Sequence, residues 1–140
     1  MFSITKVFEF SAAHRLIKPE LTVAQNQSLF GKCASENFHG HNYSLEVTLY
    51  GDLDPQVQMV VDTSTIRKVV EELVLQDLDH KNLNLDVPWL SGSLPTTEVV
   101  ARAILQRIKG PLKLEAKRAE KLVVTLIETR TIRVSYEENF

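Results

Sequence analysis

From Phe2 to Phe10 the even positions read Phe2, Ile4, Lys6, Phe8 and Phe10, an imperfect apolar alternation against Ser3, Thr5 and Glu9. Side chains two residues apart share one face of an extended chain, so this pattern predicts a half-buried strand. Continued onward, the same face carries His14. A cleaner alternation follows, with His39, His41, Tyr43, Leu45, Val47 and Leu49 on one side and Asn42, Ser44, Glu46 and Thr48 on the other. It predicts a second strand. The intervening Leu16 to Lys32, with Pro19, Asn26 and Gly31 and no sustained period, reads as a long loop.

Gly51-Asp52 and Asp54-Pro55 mark a turn, after which the period changes. Thr63 or Ser64 is a candidate helix cap, and Ile66, Val69, Val70, Leu73 and Val74 follow at helical spacing. Beyond the Asp-, Asn- and Pro-rich stretch from Asp77 to Pro95, Thr96 or Thr97 can cap a second helix. Its buried stripe is Val99, Val100, Ala103, Ile104 and Ile108, and Gly110-Pro111 is its expected end. The apolar run Leu122 to Ile127 and the alternating Ile132, Val134 and Tyr136 predict two closing strands. The order is ββααββ, an α+β arrangement with both helices on one face of an antiparallel sheet. With 140 residues, the chain suits one domain spanning 1–140.

Composition removes several function classes. A formal charge of −2 gives no general attraction to nucleic acid or an acidic membrane. No apolar run approaches the roughly 20 residues needed to cross a bilayer. The single Cys33 has no partner for an internal disulfide, and MFSITKVFEF lacks the features of a secretory signal, so a reducing cytoplasmic setting is expected.

His39-Gly40-His41 is the sharpest chemical signal, because two histidines one residue apart face the same way on a strand and can grip one ion. With His14 they supply three imidazoles, which leave a fourth tetrahedral position open in the manner of a catalytic zinc site; Gly40 is expected to leave space beside the metal. Cys33 lies six residues before His39, and the neighbouring Lys32 favours its thiolate, so it is a candidate proton acceptor. A lone cysteine is also commonly a small buried hydrophobe. Asp79-His80 would complete an Asp–His–Cys relay, or is a solvated surface pair. Glu128 breaks the apolar face of Leu122, Val124 and Leu126, where it is either a strand-end carboxylate or an acceptor for the paired donors of an amino-amidine edge. Arg15 and Lys32 adjoin site candidates and suit a polyphosphate; the cluster Lys109, Lys113, Lys117, Arg118 and Lys121 is interleaved with acids and reads as a solvated connection.

The segments Phe10-Ser11-Ala12-Ala13-His14-Arg15-Leu16, Leu29-Phe30-Gly31-Lys32-Cys33, His39-Gly40-His41-Asn42-Tyr43, Leu78-Asp79-His80-Lys81-Asn82-Leu83 and Thr96-Thr97-Glu98 resemble, in order, the motifs of the 6-pyruvoyl-tetrahydropterin synthase family. The resemblance implies the tunnelling fold (T-fold), in which ββααββ subunits assemble into a homohexamer of two trimers with active sites at subunit interfaces. It also implies Zn2+ on His14, His39 and His41, proton transfer by Cys33 with Asp79 and His80, pterin anchoring by Glu128, and pocket lining by Thr96 and Thr97. The implied reaction converts 7,8-dihydroneopterin triphosphate to 6-pyruvoyl-tetrahydropterin with loss of triphosphate.

Two features bear on the product. The six-residue step from Cys33 to His39 resembles the animal-type enzyme rather than the 6-carboxytetrahydropterin synthase of queuosine biosynthesis, although Ala34-Ser35-Glu36-Asn37-Phe38 differs from the Asn/Pro/Gly-rich family segment. Glu36 stands where relatives that cleave the side chain to a 6-hydroxymethyl pterin carry a glutamate. Outside this enzyme class, a pterin- or zinc-binding module without catalysis and a metal-independent thiol hydrolase using Cys33 and His80 are the alternatives.

Overall fold

The computed structural model describes all 140 residues. In chain order the elements are β1 (Phe2–His14), α1 (Val23–Phe30), β2 (His39–Gly51), α2 (Thr63–Val70), α3 (Gln76–Leu78), β3 (Lys81–Asn82), α4 (Thr97–Glu115), β4 (Ala119–Thr129) and β5 (Ile132–Asn139). The sheet order is β3-β1-β2-β4-β5. All neighbours are antiparallel except β3, which adds a short parallel edge beside Ala12 and Ala13.

The expected alternation sets the faces. Phe8, Phe10 and Ala12 of β1, Tyr43 to Leu49 at odd positions of β2, and Leu122, Val124 and Leu126 of β4 are buried beneath the helices. They meet Ile66, Val70 and Val74 from one helical segment and Val100, Ala101, Ile104, Leu105 and Ile108 from α4. Each fully buried Leu or Ile contributes about 1.5–3 kcal/mol, so a one-residue slip of β2 would expose its whole apolar set. The opposite face is polar, with Thr5 bonded to Thr48, Ser11 to Asn42 and Thr125 to Ser135.

Three local expectations are corrected, and one feature is added. The segment Leu16 to Lys32 is not all loop: α1 is closed by a capping box in which Thr22 Oγ1 accepts from Gln25 N–H and the Gln25 side chain accepts from Thr22 N–H. Buried Asn26 then ties the chain to the carbonyls of Lys18, Leu21 and Thr22. Asp62, rather than Thr63 or Ser64, caps α2 by accepting from Ser64 N–H. Gly110-Pro111 does not end α4, which runs to Glu115 because Leu112 is fully buried one turn further on and its carbonyl accepts from Ala116 N–H. Finally, α2 passes into a π-helical turn, Glu71–Leu75, before α3.

Candidate metal centre and adjoining site

Continuous pairing of β1 with β2 places His14 directly opposite His39, and the strand period returns His41 to the same face. The three rings cluster with centroids 4.6, 5.2 and 5.0 Å apart. They lie beyond Tyr43, where the helix-covered core runs out. Their environment is dry enough that burial lowers the pKa of all three, so they are neutral at pH 7. His14 Nδ1 lies 2.9 Å from Pro95 O, which only accepts, so Nδ1 carries the proton and Nε2 presents a lone pair.

Glu128, at the end of β4, completes the group. Its Oε1 is 2.8 Å from His41 Nε2 and 3.6 Å from His14 Nε2, while Oε2 accepts from Thr97 Oγ1 at 2.6 Å. These distances alone would suggest ion pairs, but neutral imidazoles make none. The shorter contact also lacks hydrogen-bond alignment, so His14 Nε2, His39 Nδ1 and His41 Nε2 are buried without a partner. An unsatisfied buried polar group costs about 1–3 kcal/mol. Three in one place, with one ligand atom from each histidine and from Glu128 all within 4.8 Å of one another, fit a metal ion held by nitrogen and oxygen.

The remaining candidates fall into two places. Cys33 is half-buried on a 3-10 turn, Gly31–Ala34, anchored by Leu16 N–H donating to Cys33 O at 2.7 Å. Asp79 and His80 are brought together at the β1 edge: Asp79 Oδ1 is 2.9 Å from His80 Nδ1 and also accepts from Ser11 N–H. The Ser11 amide holds the Asp79 pKa below its usual value. His80 takes a left-handed backbone, φ 60°, fixed by its N–H donating to Ser11 O at 2.6 Å. Its side chain is 82% exposed, and no hydrogen bond joins it to Cys33 within one chain.

Thr96 uses its hydroxyl to cap α4, accepting from Val99 N–H. Arg15 stacks over Phe38 and donates to Glu36 O, and with Lys18 it lines a cavity of roughly 390 Å³ beside the histidine end of the sheet. Lys32 and Glu36 are exposed, and the Glu36 carboxylate makes no hydrogen bond. Gly40 does not leave space beside the histidines. Alternation turns it to the opposite face, where it lines a groove with Ser11, Asn42 and His80, and an added Cβ would meet only Ala12 O at 3.5 Å.

Three supporting groups are not evident from sequence. Pro95 acts through its carbonyl and Ser11 through its amide, neither of which a side-chain pattern reveals. Asn84 accepts from Arg15 N–H and donates to Arg15 O, pinning the residue after His14; its only signal is its place beside the Asp79-to-Leu83 motif.

The arrangement has close counterparts. Residues 3–139 match the family model described as 6-pyruvoyl tetrahydropterin synthase. The chain is 45% identical over 109 residues to the 6-pyruvoyl tetrahydrobiopterin synthase of Homo sapiens, covering 78% of this chain and 75% of that protein. It is 30% identical to the 6-carboxy-5,6,7,8-tetrahydropterin synthase of Haemophilus influenzae, covering 99% and 100%. The solved 6-pyruvoyl tetrahydropterin synthase of Caenorhabditis elegans superposes with a TM-score of 0.88 at 35% identity, covering 98% of this chain and 95% of that one. With a match from the first strand to the last and a solved structure that shares its fold, this chain belongs to the 6-pyruvoyl tetrahydropterin synthase family.

Proposed function

We propose that this chain is a zinc-dependent lyase that converts 7,8-dihydroneopterin triphosphate to 6-pyruvoyl-tetrahydropterin with loss of triphosphate, working as a single domain in the cytoplasm. The carrying observation is the convergence on Glu128 of three neutral histidines, each with a buried, unpartnered ring nitrogen. A zinc ion held by His14, His39 and His41 would supply Lewis-acid polarisation of the substrate's side-chain hydroxyls. Cys33, on the turn anchored beside Leu16, then accepts the carbon-bound proton as thiolate. Asp79 orients His80 through Nδ1 and leaves the other ring nitrogen facing outward to exchange that proton.

Within one chain His80 has no bond to Cys33, which supports a relay completed between subunits of a hexamer built as two trimers. Glu128 and Thr97, already bonded to each other, serve the pterin ring with Thr96, whereas the Arg15–Lys18 cavity suits the triphosphate better than exposed Lys32 does. The 6-carboxytetrahydropterin reaction of queuosine biosynthesis is the second reading, favoured by the relative that covers 99% of the chain. The higher identity to the human protein and the six-residue Cys33–His39 step favour the first.

Incubating zinc-loaded protein with dihydroneopterin triphosphate and separating the pterins distinguishes 6-pyruvoyl, 6-carboxy and 6-hydroxymethyl products. Absence of turnover by assembled, zinc-replete protein would rule out this reaction. Cys33→Ala is expected to lower elimination by about 10²–10⁴-fold, the range of general acid–base catalysis, with the metal retained.

A further inference from the structure

Phe38 has a left-handed backbone, φ 64°, although it is not glycine. A bulky side chain in that region is costly and persists only where surrounding contacts impose it. The contacts here converge on Arg15. The turn 35–38, closed by Phe38 N–H donating to Ser35 O at 3.1 Å, sets the Phe38 ring beneath the Arg15 guanidinium, whose Cζ lies 4.8 Å from the ring centroid. The same turn offers Glu36 O to Arg15 Nη1 at 3.2 Å. From the other side the Asn84 amide accepts from Arg15 N–H and donates to Arg15 O, both at 2.9 Å, so a side chain continues the β1 edge where a strand would. Asn84 is itself held by its N–H, which donates to Asn82 Oδ1.

Arg15 is thus fixed at its backbone and at its head, yet it has no counter-ion. Neither an aspartate nor a glutamate pairs with it, and the Glu36 carbonyl occupies only one of its N–H donors. Arg15, Phe38 and Asn84 all line the cavity of roughly 390 Å³ that Lys18 and Glu20 also border. A planar cation whose movement is already restricted loses little entropy on binding, so its free N–H groups can take a phosphate in paired hydrogen bonds. We propose that Phe38 and Asn84 are positioning residues that hold Arg15 as a preformed anion-binding arm, so that the strain at Phe38 serves recognition of the substrate's phosphate chain. This rests on the assignment of the Arg15–Lys18 cavity to the triphosphate and adds the device that sets the arm. Stability and recognition are then opposed at one position, because Phe38→Gly relaxes the backbone and frees the arginine.

The test titrates full-length, zinc-loaded protein with neopterin and with neopterin triphosphate, followed by pterin fluorescence, and reads the gain in affinity that the phosphates bring. Wild type is expected to show that gain, Arg15→Gln to lose it, and Phe38→Tyr, which keeps the stack and the strain, to retain it. Phe38→Gly should forfeit about fivefold of the gain, the scale of one cation–ring contact, with neopterin affinity unchanged. Its urea midpoint should equal or exceed that of wild type, an outcome that a merely structural role for the ring does not give. Asn84→Ala should reduce the gain as well, again with neopterin affinity unchanged. A Phe38→Gly or Asn84→Ala protein that keeps the full gain while Arg15→Gln loses it overturns this inference alone. An Arg15→Gln protein that keeps the gain, or a wild type that shows none, overturns the assignment of the cavity with it.

Discussion

His14 exposes 2% of its surface and His80 most of its side chain, and their surroundings differ accordingly. His14, with His39 and His41, sits on two long strands whose pairing leaves no freedom of placement, and the nitrogens that meet there have no protein partner. His80 sits on a strained turn at the sheet edge, with its backbone tied to Ser11 and one nitrogen tied to Asp79. The first region leaves bare nitrogens grouped closely enough to hold an ion. The second is internally satisfied and offers one exposed nitrogen. Paired strands hold the first cluster in place, whereas a single turn holds the second.

His39→Ala should break the first region most severely. Loss of outer groups around a metal costs about 10–100-fold in affinity, so loss of a direct donor should exceed about 100-fold. Chelator competition and metal analysis measure it, and unchanged metal content would remove the distinction between the regions. His80→Ala should lower kcat by about 10²-fold, within the range of general acid–base catalysis, while metal affinity holds. As an exposed substitution it should leave stability within about 0.5 kcal/mol, checked by urea unfolding; a fall in metal content would show that the two regions are coupled within one chain.

Arg107→Ala probes what holds the second region in place. Arg107 Nε donates to Leu73 O within the π-helical turn, its NH2 reaches Asp77, which also accepts from Trp89 Nε1, and its guanidinium stacks on the Trp89 ring. Asp77 is two residues from Asp79, so this clamp sets the helix end from which the Asp79–His80 turn departs. The expected cost is about 1–2 kcal/mol after allowing for partial exposure, with metal affinity unchanged. Glu36→Ala should have the smallest effect, under about twofold on elimination, because its carboxylate is exposed and makes no hydrogen bond or ion pair. A larger loss, or a drop in a 6-hydroxymethyl side product, would give Glu36 a role in bond cleavage.

The four long strands and both principal helices were legible because one face of each is buried, and burial writes a period of two or of about 3.6 into the residues; the two-residue β3 carries no such period. The same logic reached His39 and His41, and His14 by continuation. It did not reach α1, whose only buried residue is Asn26, since a helix held by caps and a buried amide leaves no apolar stripe. It also misjudged Pro111, because local propensity favours a stop there while the burial of Leu112 favours one more turn.

The sequence by itself singled out the candidates for chemistry: three histidines on strand faces, one cysteine, an Asp-His pair and a carboxylate at a strand end. Only the tertiary structure decided that Glu128 joins the histidines, because that contact depends on β4 lying beside β2 in one register. It alone tied His80 to Asp79 and Ser11, and left it without a hydrogen bond to Cys33. These are relations between distant segments, fixed by pairing and packing, and periodicity along a single segment contains no record of them.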